Sequence, residues 1–495
     1  MNISTMARRV HRSRLQPSPL HAALALAIGA AAPFGGVALA AHGAGQPFAA
    51  PPTANAPAAS RFAPGDPRAA FVDAVLRRVP PPRPAAAVAV TNCDDAGPSS
   101  LREAVENAVS GDIVDLTGLG CSTITLTTGV LATSVDELTL LGPGPAALVV
   151  DAQYASPHLL HLGSGTLTVS GLTLVDGHKY ATGAGEASGG CIFSSGSVQL
   201  DHAVASRCSV TTSGSGRARG GAIFAADVVL LSSAVNDSGA LSQAAYAIGG
   251  GVYTQDFFAF YSVLAGNHAS GAQPYLGYGG AVFATGEAFV LASTISGNTA
   301  DVVAGADLVG HDASETLLVT NSTFAYNKAY DSTFGSALYV GRGATIANST
   351  ISGNLEANAA NTKYGAALYG PPGTAIALQS SILSGNVLDT SSLALPSDIG
   401  SDVLIDGASN LIGYSASPVP TDTIVNFTPG LGPLADNGGP TPTMMPRPYS
   451  LAIDAGNDVA ALACDQRGSG YPRVIGANAD IGAVETDILF SDGFD

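Results

Sequence analysis

The chain has 495 residues, of which 60 are glycine and none is tryptophan, and its formal net charge at pH 7 is −18. Such a surface repels phosphate backbones and anionic lipid, so we expect no nucleic-acid partner. After residue 40 no apolar run is long enough to span a bilayer, so we also expect no transmembrane segment in the mature chain.

Residues 1–40 have the pattern of a signal peptide. A basic segment, MARRVHRSR, precedes the apolar segment LHAALALAIGAAA, and Ala38–Ala40 offers small residues for cleavage. A membrane anchor is the alternative, although Pro33 interrupts the apolar segment early. Residues 41–87 are rich in Ala and Pro, which predicts an extended linker. We therefore expect the protein to be exported.

Five cysteines are consistent with an exported, oxidised chain. Cys93 and Cys121 are close enough in sequence to close one loop, and Cys191 and Cys208 are close enough to close another. Sequence alone does not fix connectivity, so these four are candidates for structural disulfides. Cys464 is left over.

The segment GPSSLREAVENAVSGDIVDL predicts one short helix, Leu101–Val109, that runs into a strand. Ser100 and Glu103 have the spacing of a capping box, and apolar residues recur at helical spacing after them. Gly111 is placed to end the helix. We interpret its acids and Arg102 as a solvated outer face. Its position favours a role as the N-terminal cap of the region that follows.

From there to about residue 390 the sequence repeats with a period of about thirty residues. Each unit contains three short segments rich in β-branched and aromatic residues, separated by Gly, Ser or Asn. Three strands per unit without a helix predict an all-β fold, a right-handed parallel β-helix (solenoid) over residues 88–390. The units begin at Gly189, Gly220, Gly250, Gly279, Gly335 and Gly365, with a degenerate unit at Gly305.

The third segment of successive units ends in asparagine, as in STISGN, which occurs twice. In a β-helix, like residues stack about 4.8 Å apart. Asparagine tolerates the left-handed backbone of a sharp turn, and stacked amides form hydrogen bonds along the axis. We therefore predict a structural asparagine ladder made of Asn267, Asn298, Asn327, Asn354 and Asn386.

Several segments resemble families of exported bacterial β-helix proteins. SSLREA, which begins at Ser99, resembles the CSLREA segment, and GGAIF, GGAVF and FAYN resemble the repeats of polymorphic outer-membrane proteins. NLIG, LADNGGPTPT, AIDAG, DQRG and DIGAVE resemble, in this order, motifs of the choice-of-anchor Q domain. The resemblance implies a secreted or surface-displayed β-helix, extracellular or associated with the outer membrane of a Gram-negative bacterium. For the polymorphic proteins it implies adhesion.

The C-terminal part of the resemblance sets two further expectations. Residues 391–486 form a choice-of-anchor Q-like region that is rich in turns and closes the open end of the solenoid. Related domains often carry a second cysteine where this chain has Ala479, so Cys464 is expected to be a free or intermolecular thiol. The tail, residues 487–495, resembles a short ending of exported proteins and suggests a sorting signal.

The repeats predict no catalytic residue, no metal site and no cofactor. A uronate lyase needs a basic residue and usually a Ca²⁺ ion held by carboxylates, but the cations of the repeats do not share a column. A glycoside hydrolase needs two carboxyl groups that face each other. We expect the acids of the repeats to fall at different repeat positions; they are Asp201, Asp227, Asp256, Glu287 and Glu315.

One repeated column is expected to point outward. The fourth and fifth positions of the units are both large, and adjacent strand residues face opposite sides. The fifth positions are therefore a candidate partner-binding stripe: Phe193, Phe224, Phe283, Tyr339 and Tyr369. Either the variable stretch before each glycine pair covers the stripe, or the stripe binds a glycan or a cell-surface protein.

Taken together, these features favour a secreted or surface-displayed protein with an adhesin-like or surface-interaction role and no catalysis. The first alternative is a polysaccharide lyase or glycoside hydrolase on a pectin-lyase-like scaffold, because fold alone does not fix function. The second alternative is a structural component of the cell envelope.

Overall fold

The computed structural model describes residues 86–273, 275–310, 316–330, 334–357, 365–390, 393–458 and 461–486. The predicted signal peptide, almost all of the predicted linker and the tail lie outside the described residues. Within the described ranges, no helix is long and apolar enough to cross a membrane.

The described residues form a right-handed parallel β-helix, which confirms the predicted fold class. Each turn of the chain, here called a coil, adds one strand to each of several sheets. In sheet 1 the inward residues of successive coils, such as Leu167, Val198 and Val228, are register partners and are fully buried. The strands of sheet 1 are Ala87–Ala89, Asp112–Asp115, Leu138–Leu141, Thr166–Ser170, Ser197–Asp201, Asp227–Leu231, Asp256–Phe260, Ala288–Leu291, Leu317–Thr320, Ala344–Ala347, Ala375–Gln379 and Leu404–Ala408.

Sheets 2 and 3 enclose the core together with sheet 1. Burial of each Val, Leu or Ile in this core contributes about 1.5–3 kcal/mol. The strands of sheet 2 are Thr123–Thr125, Val149–Asp151, Thr173–Val175, Val204–Ser206, Ala234–Asn236, Val263–Ala265, Thr294–Ser296, Thr323–Ala325, Thr350–Ser352, Ile382–Ser384, Leu411–Ile412 and Ile424–Val425. Those of sheet 3 are Leu131–Thr133, Leu159–His161, Ile192–Ser194, Ile223–Phe224, Val252–Thr254, Val282–Ala284, Ala306–Leu308, Leu338–Val340 and Leu368–Tyr369.

Many coils have more strands than the three predicted, because the third predicted segment bends at its asparagine and continues into sheet 4. A short sheet 5 follows in four coils. The strands of sheet 4 are His178–Ala181, Ser209–Thr212, Gly239–Ser242, His268–Ser270, Thr299–Ala300, Lys328–Ala329, Leu355–Glu356, Val387–Asp389 and the antiparallel Ala394–Pro396. Those of sheet 5 are Ala187–Ser188, Ala218–Arg219, Ala247–Ile248 and Gly277–Tyr278, and a separate hairpin pairs Leu431–Ala435 with Thr443–Pro446.

The helix near the N-terminus spans Leu101–Glu106 and is shorter than predicted. The Ser100 hydroxyl accepts a hydrogen bond from the backbone N–H of Glu103, and the Glu103 carboxylate accepts one from the backbone N–H of Ser99. Its apolar side chains, beginning with Leu101, are buried in the solenoid core. The helix is therefore fixed by its cap and by its apolar face.

Arg102 on this helix is not solvated, contrary to the sequence interpretation. Its side chain is 11% exposed, pairs with Asp95 at 2.7 Å and donates to backbone carbonyls of residues 129–130. Burial by itself raises the pKa of Asp95. The hydrogen bonds from Thr128, Arg102 and Thr127 outweigh burial and hold this pKa below its usual range. A loop from the next coil therefore covers the Arg102 guanidinium, which the sequence pattern placed on the surface.

Parallel pairing continues beyond residue 390, where the repeat was expected to stop. Leu404–Ala408 pairs with Ala375–Gln379 in sheet 1, and Leu411–Ile412 pairs with Ile382–Ser384 in sheet 2. The sequence repeat ends near residue 390. Parallel pairing continues because backbone hydrogen bonds between coils do not require similar side chains.

Contacts from residues 441–458 and 461–486 reach the outer face of sheet 2, beside the coils. Thr294 donates to a backbone carbonyl at 2.6 Å, and Thr323 donates to Gln466 Oε1 at 2.6 Å. Thr350 accepts from a backbone N–H at 3.0 Å. These three threonines are the second residues of STISGN, STFAYN and STISGN. The segment therefore contacts the side of the solenoid as well as following its last coils. The outward threonine hydroxyls of this column provide its hydrogen-bond partners.

Candidate functional site

Sheet 3 presents one continuous column of outward side chains, here called the outer column. Strand register places one residue of each coil in it, and all five residues of the predicted stripe belong to it. They are half-buried. The outer column consists of Ala132, Leu160, Phe193, Phe224, Tyr253, Phe283, Asp307, Tyr339 and Tyr369.

A glycine with positive φ makes a sharp bend four residues before the column residue in five coils. These φ values are 68° at Gly189, 60° at Gly220, 68° at Gly249, 64° at Gly279 and 84° at Gly335. A Cβ on Gly189 would lie 2.3 Å from a backbone oxygen, so a larger residue does not fit. The unit start is therefore Gly249, not the predicted Gly250. The run of three glycines hid this register.

Correcting the unit start adds Tyr253 to the outer column, and its ring completes an aromatic ladder. The ring centroids of Phe193 and Phe224 are 5.2 Å apart, those of Phe224 and Tyr253 are 5.1 Å apart, and those of Tyr253 and Phe283 are 5.6 Å apart. The interplanar angles are 5°, 5° and 8°. Because neighbouring rings cover one another's faces, the middle of the ladder offers edges rather than faces to a ligand.

Arg219 in sheet 5 lies over two rings of this ladder. Its guanidinium carbon lies 5.1 Å from the Phe224 centroid and 5.5 Å from the Tyr253 centroid. The same guanidinium forms an ion pair with Glu186. The structure therefore combines two rings, a cation over them and a carboxylate that balances its charge.

A cleft of about 320 Å³ opens at the N-terminal end of the ladder. The neighbour of Phe193 there is Leu160, an aliphatic residue, and both side chains line the cleft. The lining combines apolar side chains with charged and hydroxyl groups. The residues that line the cleft are Val130, Pro157, Leu159, Leu160, Lys179, Glu186, Ser188, Phe193 and Arg219.

The ladder is interrupted at Asp307, which lies in register between Phe283 and Tyr339. Asp307 is 3% exposed, and its Oδ1 atom is buried without a hydrogen-bond partner. Burial raises the pKa of Asp307 to about 7. Burial, and after it the charge of Asp307, raises the pKa of Tyr278 to about 12. A carboxyl group thus occupies the position that a ring holds in the coils on either side.

Beyond Asp307 the column changes its geometry. Tyr339 and Tyr369 are tilted by 40° with centroids 6.2 Å apart, and Phe334 meets Tyr339 edge-on at 5.7 Å. Burial raises the pKa of Tyr339 above its usual value. The predicted stripe is therefore two segments, a stacked one and a tilted one, separated by a carboxyl group.

The five predicted ladder asparagines lie at the corner between sheets 2 and 4, where each is fully buried. The side-chain amide of each donates to the next Oδ1 atom at 2.7–3.0 Å, and the last of them, Asn386, donates to Asp398 at 2.7 Å. The second N–H of each amide donates to a core carbonyl, for example that of Ile295 from Asn327. These contacts are structural.

The four candidate cysteines form two disulfides in the structure. Cys93 and Cys121 have Cα atoms 6.3 Å apart, and Cys191 and Cys208 have Cα atoms 5.4 Å apart. Cys464 is in neither disulfide. The first disulfide ties the segment before the helix to the first coils, and the second fastens sheet 3 to sheet 4.

The expectation that the repeat acids fall at different positions is wrong for three of them. Asp227 and Asp256 are register partners, and the backbone N–H of Glu287 donates to Asp256 Oδ1 at 2.9 Å. Counting from Gly249 rather than from Gly250 gives Asp256 the same position as Asp227. Across the described ranges, no group of three or more His, Cys, Asp or Glu side chains is arranged to hold a metal ion.

Comparisons with known proteins give one structural likeness. No protein-family model matches the chain, and no curated protein matches it. Among solved structures the chain is similar to the pectate lyase Pel9A, with a TM-score of 0.44 and 14% sequence identity. This match covers 81% of the present chain and 98% of the other.

Proposed function

We propose that this protein is an exported surface-interaction β-helix that binds a glycan without catalysis, with the cleft at Phe193 as its binding site. The observation that carries the proposal is a cleft lined by the end ring of the ladder, Phe193, beside charged side chains. Two disulfides support export, because such bonds persist in oxidising compartments.

The cleft offers what a sugar ring needs. A sugar presents an apolar face of C–H groups and an edge of hydroxyl groups. Phe193, Leu160 and Pro157 supply an apolar floor, while Lys179 and Glu186 supply a donor and an acceptor at the rim. Burial of an apolar face with few directed polar contacts is the usual composition of a small-ligand site.

Retention on a panel of immobilised neutral and uronic-acid polysaccharides tests this proposal. Phe193→Ser should lower the affinity for a retained polysaccharide at least tenfold, because it removes the aromatic ring that lines the cleft. Tyr369→Ser is the matched control, since it removes an outer-column ring far from the cleft and should change affinity less than twofold. Equal losses in the two variants would contradict binding at the cleft.

The same panel separates the proposal from its alternatives. A polysaccharide lyase would release unsaturated products that absorb ultraviolet light, and a glycoside hydrolase would release new reducing ends. Turnover of either kind would replace the non-catalytic proposal with the enzymatic one. Neither retention nor turnover on any polysaccharide would favour the structural envelope component.

Attachment to the cell surface stays a proposal. The choice-of-anchor Q-like motifs within residues 391–486 and the tail at 487–495 suggest that the C-terminal part determines whether the protein is released or held at the outer membrane. Fractionation of cells that express the full chain and a chain ending at residue 486 tests the part played by the tail. An unchanged distribution would contradict a sorting role.

A further inference from the structure

Within the residues that the structure describes, the outer column contains two carboxyl–aromatic arrangements, and a cation lies beside the first of them only. At the first, Arg219 lies over two rings and pairs with Glu186. At the second, Asp307 lies between Phe283 and Tyr339, and its Oδ1 atom has no hydrogen-bond partner. Burial is the cause of its raised pKa. The second arrangement thus has the rings and the acid of the first without its positive charge.

The spacing of the second arrangement suits a small cation. Phe283 and Tyr339 lie two strands apart, which is about 10 Å at about 4.8 Å per strand. A cation midway between their rings would be about 5 Å from each, within the roughly 6 Å at which a ring face attracts an ammonium group. The guanidinium of Arg219 lies at similar distances, 5.1 Å and 5.5 Å, from its own two rings.

We propose that Asp307, Phe283 and Tyr339 form a binding site for an organic ammonium group. The two rings provide the cation–π attraction and the carboxylate provides the counter-charge. The site is independent of the glycan cleft, because none of these three residues lines it. The protein carries a net charge of −18, which raises the local concentration of cations and favours this class of ligand.

Asp307 has other titratable side chains around it, and their pKa values decide whether a change in binding near pH 7 can be assigned to Asp307. Burial raises the pKa of Tyr278 and of Tyr339, and the negative charge of Asp307 raises both further. Electrostatic interaction with Asp301 also raises the pKa of Tyr278, and interaction with Tyr369 also raises the pKa of Tyr339. Because burial raises their pKa values, Tyr278 and Tyr339 stay neutral near pH 7, and Asp301 accepts a hydrogen bond from the backbone N–H of Gly271. A pH dependence of binding near 7 therefore reports on Asp307.

Calorimetric titration of the full chain with tetramethylammonium tests the proposal, since the charge of this probe does not change with pH. A site that requires the ionised carboxyl should bind about tenfold more weakly for each pH unit below the pKa of Asp307, and should reach a plateau above about pH 8. Asp307 is 3% exposed, so we expect entry to need a side-chain rotation.

Two variants and one control complete the titration. Asp307→Asn keeps the shape without the charge and should weaken binding at least tenfold at pH 8. Asp307→Phe places a ring in the gap and should abolish binding. Glu356→Gln is the control, because Glu356 is also buried without hydrogen bonds to its carboxyl oxygens but lies in a column with Ala329. Its binding should equal that of the wild type.

A second probe distinguishes a free amine from an amino sugar as the source of the ammonium group. A tetramer of glucosamine should bind and compete with tetramethylammonium if an amino sugar enters the site, whereas only the small cation should bind if the site takes free amines. The N-acetylated tetramer should not compete in either case. No tetramethylammonium binding, or equal binding by wild type and Asp307→Asn at pH 8, would overturn the proposal.

Discussion

Two columns of equivalent side chains differ in how constant they are. At the corner between sheets 2 and 4, one amide recurs in five coils; four copies donate to the next asparagine, and the last donates to Asp398. In the outer column, stacked rings give way to Asp307 and then to tilted tyrosines. The fully buried amides satisfy one another's hydrogen bonds, whereas most side chains of the outer column are half-buried and do not depend on an identical neighbour. Constancy therefore identifies structure, and variation identifies the positions available for binding.

The strongest way to break the constant column is Asn327→Ala. Asn298 donates to Asn327 Oδ1 from both its backbone N–H and its side-chain amide, at 3.1 Å and 2.8 Å. Loss of that acceptor leaves two buried donors unsatisfied, at about 1–3 kcal/mol each. We expect the free energy of unfolding in urea to fall by about 2–5 kcal/mol.

A matched control for this substitution lies outside the ladder. Asn426→Ala removes only exposed turn hydrogen bonds to Thr428 and should cost less than about 1 kcal/mol. If Asn327→Ala costs no more than Asn426→Ala, the ladder is not a structural requirement.

Glu356 tests what a buried polar group costs when its atoms make no hydrogen bonds. Burial raises its pKa from 4.5 to about 8. The native state therefore holds a proton that the unfolded chain releases, so stability falls as the pH rises from about 4.5 to about 8 and the loss is complete above this range. Each pKa unit corresponds to about 1.4 kcal/mol, so the rise from 4.5 to about 8 puts the loss at roughly 5 kcal/mol.

Urea unfolding at pH 5 and pH 9 measures this effect. Glu356→Gln should be clearly more stable than the wild type at pH 9 and nearly equal to it at pH 5, because the amide cannot ionise. The same pH dependence in both proteins would show that Glu356 does not control it.

Asp307→Phe converts the variable column into a more regular one. The new ring would meet Phe283 and Tyr339, and aromatic pairs contribute about 0.5–1.5 kcal/mol each beyond their burial. We expect stability at pH 8 to rise by about 1–2 kcal/mol, measured by urea unfolding, while ammonium binding is lost. A destabilised variant would indicate that the gap is packed for structure rather than kept for a ligand.

Arg219→Leu should have the smallest effect on stability. It removes a cation that lies over two rings and breaks a partly exposed ion pair, which together amount to about 1 kcal/mol. Arg217→Leu, which removes a more distant cation at 5.9 Å from Tyr246, is the control for lost charge. Equal thermal shifts in the two variants would mean that stacking of Arg219 on the ladder adds nothing.

Repetition allowed the solenoid and the asparagine residues to be predicted from sequence, because both depend on identical letters at a fixed spacing. The same reliance on letters missed Tyr253, since three consecutive glycines made the start of that unit ambiguous by one residue. It also missed Asp307, which lies in the degenerate unit GADLV at the position of the phenylalanine in GGAVF. The sequence signal that could have identified Asp307 is an acidic residue in a unit whose neighbours have an aromatic residue at that position.

Other features depend on contacts that no local pattern encodes. Arg102 is covered by a loop of the next coil, and Thr294 and Thr323 receive a segment more than a hundred residues later in the chain. Outward threonines in a strand usually face water, so their burial depends on where the C-terminal segment packs. Its path is set by tertiary hydrogen bonds rather than by propensity.

The central claim is that the outer column binds ligands where its ladder of rings ends or is interrupted. A crystal structure of the protein soaked with tetramethylammonium and with an oligosaccharide that it retains tests this claim most directly. We predict the ammonium between Phe283 and Tyr339 beside Asp307, and the sugar against Phe193 in the cleft. Ligand density over the stacked middle of the ladder at Phe224, with neither end occupied, would contradict the account.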